Sequence, residues 1–179
     1  MTLRCTTLNT TDTEFAAANN TQIDIKTLIN DIRDKLVGTY ILGNPGLAIG
    51  NTNTAVANLA FTYMIAGVQY SKAAVAAGTA PGNDVIPQSK YGAVAFDIGA
   101  DGTIDAIEAP ANATGYTTAA LAVAALPAVA AGHVRMGYVT ATKSDGDFTF
   151  GTTALNAANS TVAYTTSQTG FAQIGAAVA

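Results

Sequence analysis

One cysteine (Cys5), one histidine (His133) and no tryptophan occur among the 179 residues. A single cysteine excludes an intrachain disulfide framework and any cysteine-based zinc cluster. A single histidine removes most acid–base and His-ligated metal chemistry. Charge is scarce too: 11% of residues are charged, against about 25% in typical soluble domains. With 8 basic and 12 acidic residues the net charge is −4, which leaves no basic footprint for nucleic acid or anionic lipid. A bilayer-spanning helix needs about 20 apolar residues, and the most apolar stretch, Thr117 to Ala131, is short and broken by Pro127. The opening Met1-Thr-Leu-Arg runs into polar Thr and Asn, so no secretory signal is expected and assembly in a cytosol is. These absences point away from an enzyme: no catalytic residue, no metal ligand and no cofactor are expected.

What the chain has in abundance is small residues. Ala (37), Thr (26) and Gly (17) fill 80 positions, whereas Leu, Ile, Val and Phe together fill 40. The apolar share of 49% is ordinary only because Ala inflates it. A lone protomer has little bulky material for a core and few charges for a surface, which suggests a chain that covers surface against copies of itself or a larger assembly.

The texture changes near Gly38. Before it, Asp24, Lys26, Asp31, Arg33, Asp34 and Lys35 crowd together. After it, short apolar runs alternate with Gly, Asn, Asp and Pro, as short strands joined by turns do. Two segments follow: an arm and oligomerising helix over 1–38, and a β-rich knob with an extended tail over 39–179. Residues 2–12 read as an extended arm. From Thr13 a helical pattern places Phe15, Ala18, Gln22, Ile25, Ile29, Ile32 and Leu36 at spacings 3, 4, 3, 4, 3, 4, with Gly38 as its stop. Asn19-Asn20-Thr21 are poor helix formers, so a start at Thr21 is the shorter alternative. The expected oligomer interface is Phe15, Gln22, Ile25, Ile29, Ile32 and Leu36. Ile at both core positions favours three strands, with Gln22 as a polar register layer. The competing reading is a helix packed on its own domain, since Ile23 and Leu28 widen the stripe.

Beyond Gly38 the pattern predicts strands at Tyr40–Leu42 and Leu47–Ile49 around a turn at Gly43–Gly46. A hairpin over Leu59–Ile65 and Val68–Ala73 turns at Ala66-Gly67, and a loop covers Gly78–Asn83. Tyr91–Ile98 alternates as a half-buried strand, turned by Gly99–Gly102 into Thr103–Glu108. Thr117–Leu126 is the one helical pattern of this half, capped by Thr117 or Thr118 and stopped by Pro127. His133–Thr142 alternates again, with Val134, Met136 and Tyr138 on one face. Ser144-Asp145-Gly146 marks a turn before Phe148–Phe150, and Thr161–Thr165 adds a last strand. The expected fold is α+β, mainly β: a small antiparallel sheet or sandwich with one short helix on a helical stem.

The sharpest motif is Asp97-Ile-Gly-Ala-Asp-Gly-Thr-Ile-Asp-Ala-Ile-Glu108. On a twelve-position calcium loop, Asp97, Asp101, Asp105 and Glu108 fall at positions 1, 5, 9 and 12, with Gly102 at the turn. Gly99 at position 3 supplies no ligand and the flank alternates like a strand, so a β-hairpin with an acidic turn is the preferred reading. His133 has no partner at motif spacing and reads as a structural strand-end residue. Cys5 lacks a basic neighbour and reads as an unpaired thiol. Gly43–Gly46 lacks the ending of a phosphate loop. Tyr40, Tyr63, Tyr70, Tyr91 and Tyr116 read as core contributions rather than a sugar-binding platform.

The segments Phe61-Thr-Tyr-Met-Ile-Ala-Gly-Val-Gln-Tyr-Ser-Lys-Ala73, Ile98–Glu108, Ala125-Leu-Pro-Ala-Val-Ala-Ala-Gly-His-Val-Arg-Met-Gly-Tyr-Val139 and Phe150-Gly-Thr-Thr-Ala-Leu155 resemble a recurrent module of virion accessory proteins in tailed bacteriophages. The resemblance spans roughly residues 59 to 166 and omits the stem. It implies a structural part of a virion, a head decoration or head fibre, and brings no catalytic residues with it. The expected role is a capsid decoration attached as a homotrimer to the major capsid protein or another virion protein, with no nucleic-acid or membrane partner. Its expected location is the virion, assembled in a host cytoplasm. The alternatives are a tail fibre or receptor- and glycan-binding module, and a calcium-binding protein.

Overall fold

The computed structural model describes residues 38–167, together with Ile29. The helix expected over 13–37 and the tail beyond Ser167 lie outside the described residues; of the six expected interface positions, only Ile29 is described. The chain divides into two compact units, Met1–Val37 and Gly38–Ala179, and the strands and helix described next belong to the second.

Its elements run β1 (Tyr40–Ile41), β2 (Ala48–Ile49), β3 (Val56–Asn58), β4 (Phe61–Ile65), β5 (Val68–Lys72), β6 (Val75–Thr79), β7 (Val85–Ile86), β8 (Tyr91–Gly99), β9 (Ile104–Glu108), α1 (Ala119–Ala124), β10 (His133–Lys143), β11 (Phe148–Thr149) and β12 (Ser160–Thr166). The unit is mainly β. The strands form four small antiparallel sheets, ordered β1-β4-β5, β2-β3-β6, β11-β7 and β12-β10-β8-β9. Local signals account for several elements. Ala66 and Gly67 take φ of 50° and 80°, the left-handed pair that a tight hairpin turn requires, and they join β4 to β5. Thr118 caps α1 by accepting the Leu121 N–H at 3.2 Å on Oγ1, and Pro127 lies just beyond its end.

The main core lies between β1-β4-β5 and one face of the four-stranded sheet. Ile41, Phe61 and Tyr63 meet Val94, Phe96, Ile98, Met136 and Val139 there. Phe148 and Phe150, edge to face at 5.4 Å, close it from a third side. The rings of Phe61, Tyr63, Phe96, Phe148 and Phe150 fill it alongside Ile, Leu, Val and Met side chains.

The structure corrects three expectations. β8 is not half-buried: from Gly92 to Gly99 every residue is buried. Val94, Phe96 and Ile98 face the main core, while Ala93 joins Ala109 and Ala122 in a second cluster beneath α1. Alanine at these points leaves no side chain to hold the helix off, so α1 covers the face expected to be wet. Val134, Met136 and Tyr138 do not share one face. A bulge leaves Met136 without a partner between Arg135↔Asp97 and Gly137↔Phe96, which returns Val139 to the core and puts Tyr138 opposite Ala95, on the helix side. Finally, the expected loop Gly78–Asn83 begins inside β6, where Gly78 (φ +83°) faces the Val56 backbone so closely that a Cβ would lie 2.8 Å from its carbonyl carbon.

Candidate functional site

The chemistry-bearing side chains cluster around the β8–β9 hairpin and the start of β10. Register places Asp105, Asp97 and Arg135 in one row across β9, β8 and β10. Asp97 is fully buried, and Arg135 grips it at two points, Nε to Oδ1 at 2.8 Å and Nη2 to Oδ2 at 3.1 Å. The same Nη2 donates to the Pro127 carbonyl at 2.8 Å. A buried carboxylate is tolerated only when paired and hydrogen-bonded in this way.

Two residues earlier on β10, His133 Nε2 lies 3.2 Å from Asp105 Oδ2, and its Nδ1 lies 3.1 Å from the Ala131 carbonyl oxygen. Asp101 turns back on its own hairpin, accepting the Thr103 N–H (2.9 Å) and hydroxyl (2.8 Å). Those bonds from Thr103 hold its carboxyl below the usual aspartate range. Glu108 Oε1 accepts the N–H groups of Asn83 and Asp84 at 2.9 and 2.7 Å, packed against Gly82, where any Cβ would collide with it.

The four acids of the expected calcium motif therefore bind four separate sets of partners: an arginine, a turn, a histidine and a loop backbone. The residues form the β-hairpin that sequence reasoning preferred. Among the described residues no three His, Cys, Asp or Glu side chains gather as a metal-binding group. Arg135 was missed in the sequence; the signal available was a cation within the apolar alternation of one strand and a lone acid within that of another.

The five singled-out tyrosines do not share a groove. Tyr63 is buried and donates to the Gly99 carbonyl at 2.9 Å, with Tyr70 stacked on it at 5.5 Å; burial, with Asp101 and Tyr70 nearby, pushes the Tyr63 phenol up. Tyr91 and Tyr116 exchange backbone bonds beneath α1. Tyr40 pairs with Met64 at the edge of a different sheet. Gly43–Gly46 is a turn, in which Asn44 Oδ1 accepts the Gly46 N–H at 2.8 Å.

A shallow groove of about 470 Å³ runs between α1 and the β10–β12 pair, with Tyr138, Thr140 and Thr165 below and Ala119 and Val123 beside it. Ile29, the one described residue before Gly38, is helical and 51% exposed. Among the described residues no helix is long and apolar enough to cross a membrane. No protein-family model, no curated protein and no solved structure matches the chain.

Proposed function

We propose that the protein is a non-enzymatic structural component of a phage virion, a capsid decoration or head-fibre protein held on the shell as a homotrimer. Residues 1–38 trimerise and attach to the major capsid protein or another virion protein, and the β unit projects as the knob. The observation that carries this reading is Ile29. Its side chain is 51% exposed, and in the sequence it stands in line with Ile25, Ile32 and Leu36 at heptad spacing, the pattern of a seam that pairs with copies of itself. The resemblance of residues 59–166 to phage virion accessory proteins supports the same role. So does the use made of the reactive side chains: Asp97, Asp101, Asp105, Glu108, His133 and Arg135 all hold turns, loops and strands together. Trimeric attachment adds avidity, so weak single contacts suffice, and a ligand that binds only the assembled shell stabilises it by mass action.

The test is the solution mass of the full chain beside a version beginning at Thr39. The full chain should sediment at three times its 18.0 kDa and the shortened one as a single protomer. Ile29→Asp with Ile32→Asp should also give a single protomer and abolish attachment to the shell. A monomeric full chain, or a trimer that survives both changes, would refute the proposal.

A further inference from the structure

The loop from Pro127 to Gly132 joins α1 to β10, and residues 128–132 are all exposed. Burial therefore contributes little to holding it, and hydrogen bonds from β10 do so instead. At its start Arg135 Nη2 donates to the Pro127 carbonyl. At its end the His133 N–H reaches the Ala130 carbonyl at 3.2 Å, and the His133 ring spans from the Ala131 carbonyl at Nδ1 to the Asp105 carboxylate at Nε2.

Both neighbours of the ring are acceptors. A neutral imidazole has one N–H and one lone pair, so it satisfies one of them and turns a lone pair toward the other. The doubly protonated ring donates to both. The charged groups around it come from three places. Asp105 faces it from β9. Asp101 faces it from the β8–β9 turn, crowding the same open side of Gly99: a Cβ there would lie 2.9 Å from Asp101 Oδ1 and 3.1 Å from His133 Nε2. Arg135 lies two residues along β10, already committed to Asp97 of β8.

We propose that His133 is a proton-operated latch. Protonated, it bolts the 127–132 loop to β9; neutral, it releases one bolt, and the segment carrying the exposed Val129 loosens from the sheet. Histidine changes charge between about pH 5 and 8, so the loop is tight in mild acid and looser in mild base.

His133 is the single histidine of the chain, so ring nitrogen signals of the full-length protein, labelled with 15N-histidine, are unambiguous. Spectra at pH 5 and pH 8 then report directly which ring nitrogens carry protons. The His133 amide, which donates to the Ala130 carbonyl, should exchange about fivefold more slowly at pH 5 than at pH 8, after correction for intrinsic rates, as befits one net hydrogen bond. His133→Gln, which does not titrate, should abolish the difference, and Asp105→Asn should shrink it should the first variant fail to fold. Equal corrected exchange at the two pH values in the unaltered protein overturns the latch. So does a difference that survives undiminished in either variant.

Discussion

Asp97 and Arg135, 38 positions apart in the chain, meet across neighbouring strands as a two-point pair with bonds of 2.8 and 3.1 Å, and the carboxylate is wholly out of solvent. Arg135→Met removes the partner and leaves a buried charge, a loss of about 3 kcal/mol in denaturant unfolding. Changing Asp97→Leu in the same chain should restore much of it, because an apolar pair needs no compensation. Additive losses in the double variant would show that the two residues do not act as a unit.

Gly137 follows the bulge and allows the return of β10 to the main core. A Cβ there would lie 2.2 Å from the Thr165 carbonyl oxygen and 2.8 Å from Leu47 Cδ1. Gly137→Ala should cost about 1–3 kcal/mol through overpacking, and its amide-exchange losses should concentrate in the β10–β12 ladder. Unchanged stability would mean that β12 shifts freely, contrary to its seven-pair register with β10.

Tyr63 titrates above the ordinary value of 10.0, chiefly because it is buried. A phenol with a raised folded value contributes stability that is complete below pH 10 and is lost as pH climbs through the raised value. Unfolding midpoints should therefore fall in strong base. Tyr63→Phe should lower stability at neutral pH by about 1 kcal/mol, from the lost bond to Gly99, and should flatten the alkaline decline. Part of the decline should persist, since burial raises Tyr164 as well.

Calcium should leave the melting temperature unchanged, and so should a chelator. Asp97 is sealed by Arg135 and Glu108 is engaged by the Asn83 and Asp84 amides, so the two end positions of the twelve-residue motif are already occupied. A rise with calcium that EDTA reverses would show that these bonds yield to a cation.

The sequence by itself determined what depends on neighbours along the chain. Ala66-Gly67 specifies a tight turn, Asp101-Gly102 another, and Thr118 with Pro127 bounds a helix; each works through backbone conformations and bonds within a few residues. Tertiary structure alone decided which faces are covered. Whether Ala93 faces water depends on a helix some 25 residues later settling over it. A single extra residue at Met136 reverses the side on which Tyr138 emerges, and alternation carries no mark of that because a bulge shifts every later side chain by one. The fate of three of the four acids was set in the same way: Asp97, Asp105 and Glu108 are engaged by Arg135, His133 and the Asn83 and Asp84 amides, all distant in the chain, whereas Asp101 binds its near neighbour Thr103.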